Sequence, residues 1–302
     1  MGANGPARRC AAARQQKPWC RDHSSGSALE PRRRPHTLRW VVVGIALIVL
    51  ASAGTFAILW SHSGAHAVPS SVAIQRFLQE RGASAADPGA GPTPGVYSYS
   101  GTGTERIPVP PKSQSEEPGI PGTVVRQAGG CSEFRLDFSD FHWQSWDYCV
   151  RDGTLASPTR AGYYNWDFVA FHVDDTSTFV CRPAVTAVSG RIVPGTSHAV
   201  ACTGSNNHLS IGPVFMRGTS ILVRSVDITI GSHVLAAVLV AEQVTFSGGQ
   251  SGSNVSDTWF SIATGLPLRG TWHTTVSTAS PVGTSTLDAR GNFTLGSVTP
   301  RS

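Results

Sequence analysis

Four cysteines and six histidines lie beyond residue 94, and their types and spacing set what chemistry the chain could do. Cys131, Cys149, Cys181 and Cys202 fall into two local pairs. An even number of cysteines in local pairs reads as disulfides made in an oxidising compartment. The sequential pairing, Cys131–Cys149 and Cys181–Cys202, is the expectation among the three connectivities open to four cysteines. Each bridge would close a loop of about 20 residues and contribute about 3 kcal/mol through the unfolded chain. Zinc ligation by these cysteines is disfavoured, because no pair has the C-x2-C spacing usual for zinc. The histidines are His142, His172, His198, His208, His233 and His273. None pairs with another at ligand spacing, so no metal site and no cofactor is expected. Cys10, Cys20 and His23 match no standard zinc finger and read as reduced thiols and an imidazole in a polar tail.

No catalytic motif stands out. The chain carries no G-x-x-x-x-G-K phosphate loop, no H-E-x-x-H helix, no G-x-S-x-G elbow and no C-x-x-C pair. An enzyme is therefore not expected. Asp174-Asp175, ahead of Thr176-Ser177, reads as a hairpin turn, and Ser205 to His208 as another. Ten aromatic residues crowd into the stretch from Phe138 to Phe171. They suit a core packed around a disulfide. A subset, Phe138, Trp143, Trp146, Tyr148, Trp166 and Phe168, would equally suit the lining of an apolar ligand site. Both readings stay open at this level.

The elements that must position these residues are mostly strands. Residues 95–300 show short alternating segments separated by turn residues, without intervening helical patterns, which implies antiparallel pairing. GVYSYSGTGTERI alternates from Gly95. Phe134, Leu136 and Phe138 alternate with Arg135, Asp137 and Ser139. TWFSIATGLPLRGTW reads as strand, Thr-Gly turn, strand. About ten or eleven strands are expected, and Pro121-Gly122 reads as a turn. Val234 to Val244 fits a strand or a helix.

Before this domain lie three further segments. Residues 1–39 carry nine Arg/Lys against two acidic residues, a net of +7, and read as a disordered basic cytoplasmic tail. Residues 40–60, from Trp40 to Trp60, hold no charge, and their helix would rise roughly 31 Å, enough to span a bilayer core of about 30 Å. Trp40, Trp60 and Arg39 suit the membrane interfaces, and the upstream arginines place the N-terminus inside. Residues 61–94 form a stalk, with a short helix expected over 70–81 and a Gly/Pro linker after it. The alternative is cleavage of the N-terminal segment near Ala67, which would release the same domain as a secreted protein. Residues 61–302 carry fifteen basic and seventeen acidic side chains, a net of −2, so a nucleic-acid partner is not expected.

GVYSYSGTGTERI, the C-x17-C pair enclosing FHWQSWDYC, the FVC strand at Phe179 to Cys181, and DTWFSIATGLPLRG together resemble uncharacterised actinobacterial single-pass envelope proteins. The last of these stretches is also similar to the late hairpin of LolA-like lipoprotein and glycolipid carriers. That second resemblance implies a curled antiparallel sheet, half-barrel-like, around an apolar cavity, with helices across its open face. Only the 70–81 segment and the ambiguous stretch from Val234 to Val244 offer such a helix. The resulting expectation is a mainly β ectodomain behind one transmembrane helix. It would act as a membrane-anchored extracytoplasmic binding or interaction protein holding a lipid or another apolar envelope ligand. The alternative is a structural or scaffold protein of the cell envelope, with an envelope protein as its partner.

Overall fold

Strand β1 (Gly95–Pro108) sets the pattern of the domain. Tyr97, Tyr99, Gly103, Glu105 and Ile107 are buried, whereas Ser98, Ser100, Thr102, Thr104 and Arg106 are exposed. Period-2 alternation of this kind puts one face of a strand inside and the other in solvent. The computed structural model describes residues 65–81 and 91–301, apart from 110, 169–170, 190 and 281–282. The tail, the 40–60 segment and its interface residues Arg39, Trp40 and Trp60 lie outside the described residues. Among the described residues, no helix is long and apolar enough to cross a membrane.

After β1 come β2 (Pro111–Glu116), β3 (Gly119–Gln127), β4 (Cys131–Ser139), β5 (His142–Arg151), β6 (Thr154–Phe168) and β7 (Phe171–Val188). The chain continues through β8 (Ser197–Asn206), β9 (Val214–Ile230), β10 (His233–Gly248), β11 (Gln250–Ser261), β12 (Pro267–Ser280) and β13 (Gly283–Leu295). From β3 onward, each strand pairs antiparallel with the next. The sheet closes where β13 pairs with β1, from Tyr99↔Leu295 to Arg106↔Asp288. β2 and β3 lie along the same edge of β1 in one continuous register, from Pro108↔Pro111 to Gly103↔Glu116 and on from Ser100↔Gly119 to Gly95↔Val124. Pro118 has no N–H to give the ladder, and the pairing lapses there. β2 and β3 thus act as one interrupted stave, and the domain is an up-and-down barrel of 12 staves.

The expectation of a mainly antiparallel β domain holds, but the half-barrel is corrected: the sheet closes on itself. Closure satisfies the edge strands that an open sheet would leave unpaired. It is made by the two ends of the domain, and no local sequence signal marks such a pairing. Val234 to Val244 lies within β10. Pro121-Gly122 is not a turn but part of β3, where Gly122 lets the Tyr99 ring lie against it; a Cβ there would come within 2.4 Å of that ring. Asp174 and Asp175 likewise sit within β7, paired with Asn165 and Tyr164.

Directly paired residues share a face of the sheet. On the outside, the rows Thr102–Asn292–Thr271, Thr104–Arg290–His273 and Arg106–Asp288–Thr275 are polar throughout. The Asn292 amide donates to the Thr102 hydroxyl at 2.9 Å, and His273 meets Asp288 at 3.0 Å. One end of the barrel is filled by its main apolar core, which includes Tyr97, Tyr99, Ile120, Phe134, Leu136, Leu268, Phe293 and Leu295. The helix expected over 70–81 is present as α1 (Ser70–Arg81). It packs Ala73 and Phe77 against Val96 on the outside of the barrel, so it neither covers an open sheet face nor stands free as a stalk. Arg76 fastens it, donating to both carboxylate oxygens of Asp137 at 3.0 and 2.8 Å. Both expected disulfides are formed, and each joins directly paired residues of neighbouring strands, Cys131↔Cys149 and Cys181↔Cys202.

Candidate functional site

Above the apolar floor, the barrel encloses a cavity of about 610 Å³. That lies within the range of about 300–1,000 Å³ typical of small-molecule sites. Its aromatic wall comes from every second residue of β4 to β6. Phe134 and Phe138 face in from β4, Trp146 and Tyr148 from β5, and Tyr164, Trp166 and Phe168 from β6. Phe179, Phe246, Phe260 and Trp272 continue the lining on later strands. The rings pack on one another: Phe134 stacks on Trp146 at 6.0 Å, and Tyr148 meets Phe260 edge-on at 5.7 Å.

Of the six aromatic residues singled out from the sequence, the structure brings Phe138, Trp146, Tyr148, Trp166 and Phe168 to the cavity. Trp143 is the exception. It is paired with Asp137 and Tyr163 on the outer face, where the Arg135 guanidinium lies 4.0 Å from its ring and Tyr163 stacks at 5.9 Å. Its parity is opposite to that of Gln144, Trp146 and Tyr148, which face in.

Polar side chains share the lining, Asn254, Ser256, Thr258 and Thr274 among them. Arg160 on β6 and Glu242 on β10 form a two-pronged ion pair, with Nη1 donating to Oε1 at 2.5 Å and Nη2 to Oε2 at 2.7 Å. Burial opposes charge on Arg160, but the Glu242 carboxylate outweighs it and raises the guanidinium's proton affinity. The Arg160 Nε–H is buried and finds no acceptor among the described residues. Burial pushes the nearby Tyr148 hydroxyl well up. Towards the end opposite the floor, Asp175 accepts from the Asn206 amide at 3.1 Å and from the backbone N–H groups of His208 and Leu209 at 2.9 and 3.1 Å. This fixes the loop that follows β8.

A second cluster lies beside the cavity. His142 is fully buried at the start of β5, its ring between Phe138 at 4.8 Å and Tyr164 at 4.4 Å. Its Nδ1 lies 2.6 Å from Glu105 Oε1 and 2.8 Å from Glu116 Oε1. Its Nε2 lies 3.1 Å from the Gln144 amide, which also bonds the Tyr164 hydroxyl. Gln114 donates to the far oxygen of Glu105. Burial pushes the His142 imidazole down, but the Glu105 and Glu116 carboxylates outweigh it and raise it to about 9. Burial pushes Glu116 up. Glu116 reaches across Gly103, where a Cβ would lie 1.9 Å from its carboxylate, so any side chain at that point in β1 would displace the carboxylate.

No protein-family model, curated protein or solved structure matches the chain.

Sequence reasoning missed Arg160, Glu242 and the Glu105–Glu116–His142 cluster. A signal for one member was present. Glu105 shares the parity of Tyr97, Tyr99 and Ile107, so it is a charge on the buried face of its own strand. Its partners stand on other strands at spacings that no local motif reports.

Proposed function

We propose that the barrel is an extracytoplasmic binding module, tethered to the membrane by the 40–60 segment, which holds an apolar, lipid-like molecule inside the cavity. The observation that carries this reading is the aromatic cavity itself. Its exposed lining is mostly carbon, and the Arg160–Glu242 pair stands among the polar side chains that share it. Sites of this build bury an apolar body and fix it by a small number of polar contacts. The unpartnered Arg160 Nε–H favours a ligand with an oxygen acceptor, such as a carbonyl or hydroxyl, at that depth. The two disulfides suit an oxidising compartment outside the cytoplasm. The polar rows on β1, β13 and β12 suit water rather than acyl chains over that part of the outer face, since a lipid-facing barrel turns its apolar residues outward. The scaffold alternative loses much of its support, because closure leaves few sheet edges on which a partner strand could add.

The test is uptake of an environment-sensitive apolar fluorophore by the full chain. Thr258 lines the cavity from β11. The wild type is expected to take up the probe, and Thr258→Trp, which projects an indole into the cavity, is expected to take up less. Equal uptake by both folded proteins would place the probe elsewhere and defeat the reading.

A further inference from the structure

We infer that Glu105, Glu116 and His142 form a binding site for one divalent first-row cation, Zn²⁺ or Mn²⁺ by donor type. This inference is independent of the cavity reading. The three residues come from β1, β2 and β5, and each offers a ligand atom within 4.8 Å of the others. Three observations converge on the site.

The first is charge. All three residues are buried, with Glu105 1% and His142 0% exposed. Two carboxylates facing one imidazole carry a net charge of −1 even when the ring is protonated. An uncompensated buried charge is costly. A divalent cation with two carboxylates and a neutral imidazole makes a neutral set. Lys112, further along the same face of β2, interacts electrostatically with Asp167.

The second is orphaned oxygen. One Nδ1–H, even shared, leaves most of the acceptor capacity of the two flanking carboxylates unmet. The contact with Glu116 Oε1 is an aligned hydrogen bond, whereas Glu105 Oε1 accepts none despite being 2.6 Å away. Glu116 Oε2 is buried without a donor as well. A cation at the centre of the cluster would satisfy oxygens that no hydrogen of the described residues reaches.

The third is preorganisation. Phe138 and Tyr164 clamp the imidazole from both faces, so Nδ1 is held on the carboxylates. Gln144, at the far nitrogen, can turn its amide oxygen to accept the Nε2–H that a metal-bound imidazole carries. The spacing is also close to what is needed. Ligands on neighbouring corners of an octahedron lie about 3 Å apart when the bonds are about 2.1 Å, so the 2.6 and 2.8 Å separations need widen only slightly. Mixed imidazole and carboxylate donors suit zinc and manganese better than a wholly hard or wholly soft cation.

The experiment uses the full chain, purified without chelator and without a metal-affinity tag. Bound metals are quantified by mass spectrometry. The protein is then stripped and titrated with Zn²⁺, Mn²⁺ and Co²⁺, with the visible bands of Co²⁺ reporting nitrogen and oxygen ligation. The expected result is one equivalent per chain and a higher Tm on metal addition. Glu116→Gln keeps the side-chain shape and is expected to weaken binding at least tenfold. His273→Ala, which removes the exposed His273–Asp288 pair, is expected to leave binding unchanged. If Glu116→Gln does not fold, the stoichiometry and Co²⁺ spectrum of wild type and His273→Ala decide. Folded wild type that takes up no equivalent of any of the three cations would overturn the site, and the cluster would then be a shared-proton network. Loss of binding in His273→Ala, or full binding in folded Glu116→Gln, would overturn it equally.

Discussion

Arg160 and Glu242 stand 82 residues apart in sequence and meet as a two-pronged ion pair inside the barrel. Their side chains are 15% and 10% exposed, so each desolvated charge depends on the other. Replacing one partner leaves the other buried and uncompensated. Glu242→Gln is therefore expected to destabilise the fold by about 3 kcal/mol. The double change Arg160→Met/Glu242→Leu is expected to recover most of that loss, because paired apolar replacements avoid the desolvation cost. Denaturant titration of the three proteins checks this. A Glu242→Gln variant as stable as wild type would show that the pair does not hold the barrel together.

A second expectation concerns Glu133 and Asp147, which face each other across β4 and β5. Burial raises the Glu133 carboxyl above its usual range, and the opposed Asp147 adds to the rise; burial raises Asp147 as well. Carboxyls with raised folded-state values bind more protons folded than unfolded. Stability from this pair is therefore gained as pH falls through the raised values toward the ordinary carboxylate range, and is lost as pH rises through them. Glu133→Gln is expected to stabilise the protein by about 0.5 kcal/mol at neutral pH, with the gain shrinking in acid. Thermal melts of both proteins across the acid range test the sign.

Gly291 carries a steric expectation. A Cβ at this position would fall 2.4 Å from the Trp272 ring, which lines the cavity. Gly291→Ala should push that ring aside at a cost of about 1–3 kcal/mol. A lower Tm with shifted tryptophan emission would agree; an unchanged Tm would contradict the packing of Trp272 against this strand.

The Cys181–Cys202 bridge joins β7 to β8 within a buried cluster that includes Val185, Val200 and Met216. Replacing both cysteines with alanine is expected to cost about 3 kcal/mol, mainly by freeing the unfolded chain. Urea midpoints of the variant and wild type check this.

Much of this architecture was legible in the residues, and the limits have physical causes. Period-2 alternation marks β1 plainly, because it has one wet and one dry face; β4 alternates apolar with polar residues as well, although its outward Asp137 is buried under Arg76 of α1. The Thr264-Gly265 turn was legible because Gly265, at φ +73°, takes a conformation that other residues avoid. Closure was not legible, since Tyr99 and Leu295 pair across the whole length of the domain. Trp143 was grouped with the cavity aromatics by proximity in sequence, and strand parity separates it from them. His142 looked isolated because its partners, Glu105 and Glu116, reach it through tertiary packing alone.

The central claim is that the cavity holds an apolar molecule, and native mass spectrometry of the intact chain purified from its own host tests it most directly. The account predicts a wild-type species with one bound lipid-like mass that is released by organic solvent and depleted in Thr258→Trp. Wild-type chain that is consistently free of bound apolar mass, and that also fails to take up added lipid, would contradict it.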